Sequence, residues 1–256
     1  MIDTHCHLEQ KDYDKDRDVV VAELRQKLKA VVSNATHAKD FDKGLEIARA
    51  HRGFVFLAAG IHPEYIEEIS EVQRAELFEK IKTHKNEIVA IGETGLDFYW
   101  TKTSEWREKQ KQYFKNDLAF ARNLDKPVTV HARDASAETA QILEEVGYHR
   151  VQWHLFHYKE LVPLVLKHGW MISVGPMLLT SKTLKKIVRD VPLNQIMLET
   201  DSPWWGGRDI TGASQRGTPL NIVPVAEKIA EAKGVPFEEV WAACGENATR
   251  FFDIHR

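Results

Sequence analysis

Cysteine is scarce: Cys6 and Cys244 are the only two in 256 residues, too few for a disulfide framework and consistent with a reducing compartment. No apolar run approaches the ~18 to 20 residues that a membrane span requires. Neither charge sign dominates, because 35 basic side chains face 38 acidic ones for a net charge of −3. No global field therefore attracts a long polyanion, and a phosphate-bearing partner has to be held by a local site. The first twenty residues hold the charged stretch DTHCHLEQKDYDKDRD rather than a basic segment followed by an apolar one, so no secretion signal is read and a cytoplasmic protein is expected. Linkers, low-complexity tracts and repeats are also missing. One domain is the default at this length, with 43% hydrophobic and 29% charged residues in the globular range.

What the chain does have is alternation. Short β-branched apolar runs near 1–5, 30–35, 55–61, 88–93, 127–131, 151–154, 171–174 and 196–201 predict eight strands. Between them, stretches such as SEVQRAELFEKIKTHKNE and REKQKQYFKNDLAFARNL carry apolar residues at three- and four-residue spacing, as amphipathic helices do. Strand and helix alternating eight times predict an α/β fold, a single-domain (β/α)8 TIM barrel over residues 1–256.

Such barrels assemble their sites from the carboxyl ends of the strands, and here those ends are polar. In MIDTHCHLEQ, extended backbone puts Asp3, His5 and His7 on one face and turns Cys6 to the other, as a small buried hydrophobe. The later strands finish in Glu93, His131, His154 and Asp201. Any one of these could simply solvate a strand end. Five strands finishing only in His, Glu and Asp, with no Ser, Thr, Lys or Asn among them, point instead to a metal site.

These residues resemble the TatD family of metal-dependent deoxyribonucleases, amidohydrolase-like barrels, through DTHCHL, GIHP, AIGETGLDFY, the run from Gln110 to Phe114, KPVTVHARD, HLF, LETDSP and NATRFF. The resemblance spans essentially the whole chain. It implies His5, His7, Glu93 and Asp201 around one divalent ion and Glu93, His131 and His154 around a second, with Glu93 bridging. Imidazole mixed with carboxylate suits Zn, Mn, Fe or Co and is less typical of Mg. Two departures stand out. HLFHY places His157 and Tyr158 where the family usually has small residues and a substrate strand would pass, and QRGTPLNIVP is a loose counterpart of the family segment, leaving the roles of Arg216 and Asn221 open.

Two ions lower the pKa of water and bind phosphodiester oxygens as charge builds, so the implied activity is phosphodiester hydrolysis. Asp201 is assigned both as ligand and as proton acceptor, and Glu93 as its catalytic companion. Asp3 and Glu199, two residues from ligands on the same strand faces, are expected to bond ligand imidazoles or to form internal ion pairs. His62, Arg133 and Trp204 are candidate substrate contacts, Arg133 for a phosphate and Trp204, with Trp205, for stacking on a base; solvation and packing are their plain alternatives. The remaining histidines (His37, His51, His84, His149, His168 and His255) read as surface. With no basic groove, DNA is expected as a single strand or by its end, in the manner of an exonuclease. Protein partners are left open. Rival readings are an amidohydrolase-type enzyme acting on another ester, an amide or a lactone, and a binding module that has lost catalysis.

Overall fold

The computed structural model describes residues 1–208 and 213–254. Eight parallel strands follow one another around a single sheet in the order β1 to β8: Ile2–Cys6, Ala30–Ala35, Val55–Ala59, Ile88–Asp97, Val128–Arg133, Val151–Trp153, Met171–Val174 and Ile196–Leu198. A bridge between Cys6 and Ser202 joins β1 to the segment after β8, and the backbone N–H groups of Thr200 and Asp201 donate to the His5 carbonyl at 3.3 and 2.9 Å. The result is a nearly closed barrel with helices between the strands, the architecture predicted from the alternation.

The helices are α1 Arg17–Leu24, α2 Phe41–Ala50, α3 Glu71–Thr83, α4 Ser104–Asn123, α5 Ser136–Val146, α6 Val162–His168, α7 Lys182–Asp190, α8 Ile222–Lys233 and α9 Phe237–Phe251. The last is additional to the eight-fold alternation. It brings Ala248 and Phe252 against the inward apolar residues Ile2, Ala30, Val32, Ala58, Ala90 and Met197, and Asn247 donates to the carbonyls of Leu193 and Ile196. Amino-terminal strand ends thus close over an apolar plug. No helix among the described residues is long and apolar enough to cross a membrane.

Strand ends differ from the sequence reading in the place that matters. β4 runs to Asp97 rather than Glu93, whereas β3 stops at Ala59 and β8 at Leu198, short of the expected 61 and 201. At β8 the cause is visible: Thr200 and Asp201 already direct their N–H groups to β1, and Ser202 N–H turns back on Thr200 Oγ1 at 3.3 Å, so the ladder with β7 ends. Along β4, Gly92 and Gly95 hold φ of +149° and +138°. A Cβ at Gly95 would lie 2.0 Å from the His131 carbonyl oxygen, so only glycine lets β4 approach β5 this closely.

Candidate metal centre

The polar strand ends converge. His5, in β1, and His7, just beyond it, are buried, and their Nε2 atoms are 3.1 Å apart. His5 Nε2 lies 3.3 Å from Glu93 Oε2 and 3.7 Å from Asp201 Oδ1, which is 3.3 Å from His7 Nε2. Glu93 turns its other oxygen the opposite way: Oε1 is 2.8 Å from His131 Nδ1, 3.7 Å from His154 Nε2 and 3.5 Å from His62 Nε2. His5 stacks on His154 with ring centroids 3.7 Å apart. All six predicted ligands therefore meet around one carboxylate.

Second partners fix the imidazoles. His7 Nδ1–H donates to the Asn34 carbonyl at 2.9 Å, which aims Nε2 at the cluster. His154 Nδ1–H donates to Glu199 Oε2 at 2.8 Å, and Glu199 also accepts from Ser173 Oγ and from the Leu155 N–H, at 2.6 Å each. His131 pairs through Nε2 with Asp97 Oδ2 at 2.9 Å. His62 Nδ1 accepts the Glu64 N–H at 3.1 Å, so its proton sits on Nε2, toward Glu93.

Electrostatics follow from this enclosure. Burial pushes the His131 imidazole down, but Asp97 and Glu93 outweigh it and carry it up to about 9. His154 likewise goes up to about 9, against burial, through Glu199 and Glu93. His62 is pushed down to about 3 by burial and by the neighbouring His131, so it stays neutral. Burial would raise Glu93 and Asp201, yet the surrounding imidazoles hold both below the usual carboxylate range.

A divalent cation fits the donor set. Ligand atoms ~2.1 Å from a cation are ~3.0 Å apart at right angles and ~3.4 Å apart in a tetrahedron, close to the 3.1 to 3.7 Å separations among His5, His7, Glu93 and Asp201. Ligand-competent groups include His5 with His7 and Glu93, and Glu93 with His131 and His154. His5 Nδ1 is buried without a partner, compatible with Nε2 being the atom that ligates.

The supporting residues depart from expectation in one case. Glu199 bonds the His154 imidazole as anticipated, but Asp3 bonds no imidazole: its carboxylate accepts from Thr200 Oγ1 at 2.6 Å and from the Thr200 and His5 N–H groups at 3.1 Å each. Asp3 braces the backbone under His5, where no imidazole N–H and no basic side chain among the described residues bonds it. With β4 expected to end at Glu93, Asp97 is given no place in the site by the sequence. Its signal was present, since residues 93 and 97 share a strand face.

His62, Arg133 and Trp204 all line one open cavity of about 790 Å³ above the cluster, together with His157. Tyr158 is buried and spends its hydroxyl on the Ala132 carbonyl. Arg216 and Asn221 lie away from the cavity: Arg216 forks onto Asp16 at 2.7 and 2.8 Å, and Asn221 Oδ1 accepts the Thr218 N–H. Cys6 faces away from the site, its thiol 3.4 Å from the Val32 carbonyl. His37, His51, His84 and His168 bond outside the cavity, His149 stacks on His168, and His255 lies outside the described residues.

Comparison with known proteins gives the family. The family model described as TatD related DNase matches residues 2–253. The chain is 33% identical over 264 aligned residues to the Homo sapiens protein named deoxyribonuclease TATDN3, covering 98% of this chain and 94% of that one. It is 31% identical to the Bacillus subtilis metal-dependent hydrolase YabD, with both chains fully covered. Among solved structures, a TatD homologue of Escherichia coli K12 superposes with a TM-score of 0.88 at 25% identity, covering 99% of this chain and 98% of that one. On a match of this length, the chain belongs to the TatD-related DNase family and is a hydrolytic enzyme of that type.

Proposed function

We propose that the protein hydrolyses phosphodiester bonds in DNA, taking the substrate as a single strand or by its end, with two divalent cations bridged by Glu93. The observation that carries this reading is the split use of Glu93. Oε2 faces the His5 and Asp201 side at 3.3 Å from His5, and Oε1 faces His131 at 2.8 Å and His154 at 3.7 Å. His5, His7, Glu93 and Asp201 would hold one ion; Glu93, His131 and His154 would hold the other. When bound, such ions polarise phosphoryl oxygens and lower the pKa of water to ~7.

The chain's own groups supply the rest. Asp201 is the most accessible of the clustered carboxylates and borders the cavity, which suits it to accept the proton of an attacking water. His62, neutral and with its proton on Nε2, presents a donor to a phosphoryl oxygen over the cluster. Glu199 and Asp97 keep His154 and His131 turned inward. At the mouth, Arg133 offers a planar guanidinium for the phosphate, and the exposed Trp204 offers a face for a base.

Single-stranded DNA, a small phosphodiester and a panel of acyl substrates assayed in parallel test the reading. Exhaustive chelation is expected to abolish phosphodiester cleavage, and adding back one divalent cation to restore it. Cleavage that survives chelation, or turnover confined to acyl substrates, would overturn it.

A further inference from the structure

Eight large apolar side chains among the described residues are conspicuously exposed; three of them, Trp100, Trp204 and Trp205, line the cavity, and a fourth, Tyr99, lies under Arg133, which lines it too. Trp100 is 56% and Trp204 51% exposed. Exposed indole rings gathered at the mouth of a polar cavity point to a binding surface. Its rings come from two places: Tyr99 and Trp100 follow β4, whereas Trp204 and Trp205 follow β8. In a ring ordered β1 to β8, those strands are diametrically opposed. Eight strands ~4.8 Å apart and tilted ~36° enclose a barrel about 15 Å across, so the two pairs of rings rise from opposite walls.

Both pairs are tied to the metal centre. The Trp204 and His7 rings pack T-shaped with centroids 4.8 Å apart, and Trp205 Nε1–H donates to Asp201 Oδ2 at 3.2 Å. Opposite, the Trp100 N–H donates to Asp97 Oδ1 at 2.9 Å while Asp97 Oδ2 holds His131. The Arg133 guanidinium lies 3.7 Å over the Tyr99 ring, a contact that leaves its in-plane N–H groups available to a phosphate.

We propose that Trp100 and Trp204 are two base-stacking stations on opposite walls, which accept a single DNA strand with the bases on either side of the scissile phosphate splayed apart, one on each ring. Stacked neighbours lie only ~3.4 Å apart and cannot reach both walls; a duplex keeps its base faces covered. The inference rests on the phosphodiesterase reading and adds to it that recognition runs through two separated bases.

The dinucleoside monophosphate TpT has a single scissile bond, so each base has an unambiguous place. The cation-loaded enzyme is assayed on TpT and on two analogues, each with one thymine replaced by an abasic tetrahydrofuran. Removal of either base is expected to lower kcat/KM by about 5- to 150-fold, mostly through KM. Trp100→Ala should abolish sensitivity to one base and Trp204→Ala to the other, while Trp100→Phe retains it; metal content and circular dichroism verify that each variant is intact. Indifference of the wild type to both bases, or loss of sensitivity to the same base in both alanine variants, would overturn the two stations while leaving the phosphodiesterase reading standing. So would refusal of TpT by an enzyme that cleaves a longer single strand. Failure to cleave any DNA would remove both claims.

Discussion

A histidine becomes a dependable ligand once its other ring nitrogen is tied down, and the ties here separate what could be read from residue types from what could not. Alternation along an extended strand places His5 and His7 together, and it puts Glu199 beneath the cluster, where it meets His154 Nδ1 at 2.8 Å. The same rule put Asp3 on the correct face but could not reveal its partner, because Thr200 is 197 positions away. Glu199→Gln tests the tie. Glu199 accepts three hydrogen bonds with its two oxygens, and an amide must turn its NH2 toward a donor on one side. Cation affinity is expected to fall about 10- to 100-fold in a competition titration with a chromogenic chelator, with secondary structure unchanged; unaltered affinity would remove Glu199 from this role. Asp201 faces a different demand. Its φ of +55° is uncommon for a residue with a side chain, though Asp tolerates it better than most. Asp201→Asn keeps the shape but cannot take a proton, so turnover on DNA should drop ~10²-fold or more. Equal turnover would assign the proton transfer elsewhere.

Elements are legible in sequence to the extent that they are periodic. The two quoted amphipathic stretches became α3, Glu71–Thr83, and α4, Ser104–Asn123, because spacing of apolar residues is a local property. How the two helices lock to the barrel is not local. Arg74 of α3 reaches Asp117 of α4, and the other Asp117 oxygen accepts from Thr94 of β4 at 2.6 Å, next to Glu93. The Arg74 guanidinium is also sandwiched between Phe78 and Tyr113, 4.4 and 4.0 Å from their ring centroids. Nothing in the composition of either helix marks these partners, since both residue types are common on solvated faces. Removing one partner strands the other: Asp117→Ala leaves a buried cation unpaired, and urea unfolding is expected to show a loss of ~3 to 5 kcal/mol. The double variant Arg74→Met/Asp117→Ala should recover much of it. A loss in the single variant below ~1 kcal/mol would show that the pair contributes little to the packing of these helices on β4.

At the scale of the molecule, the eight-fold alternation was readable, whereas the plug made by α9 under the barrel was not, because an extra helix after the eighth unit has the same periodicity as any other. The convergence of the six candidate ligands was readable only jointly. They come from β1, β4 and β5 and from the residues just after β1, β6 and β8, with His5 and Asp201 196 positions apart, so they meet only in the folded barrel. An unfolded chain scatters them, and a cation that needs four of them at once binds the native state almost alone. Binding of that kind stabilises the native state by mass action, by about 2.7 kcal/mol when free cation is a hundred times its dissociation constant. For a chain of this size that corresponds to a rise in Tm of about 5 to 10 °C. Thermal unfolding after chelation and after cation is restored should show this lift in the wild type. Glu93→Gln, which weakens both halves of the cluster at once, should lose most of it. An equal lift in Glu93→Gln would mean that the cation stabilises the barrel from some other place.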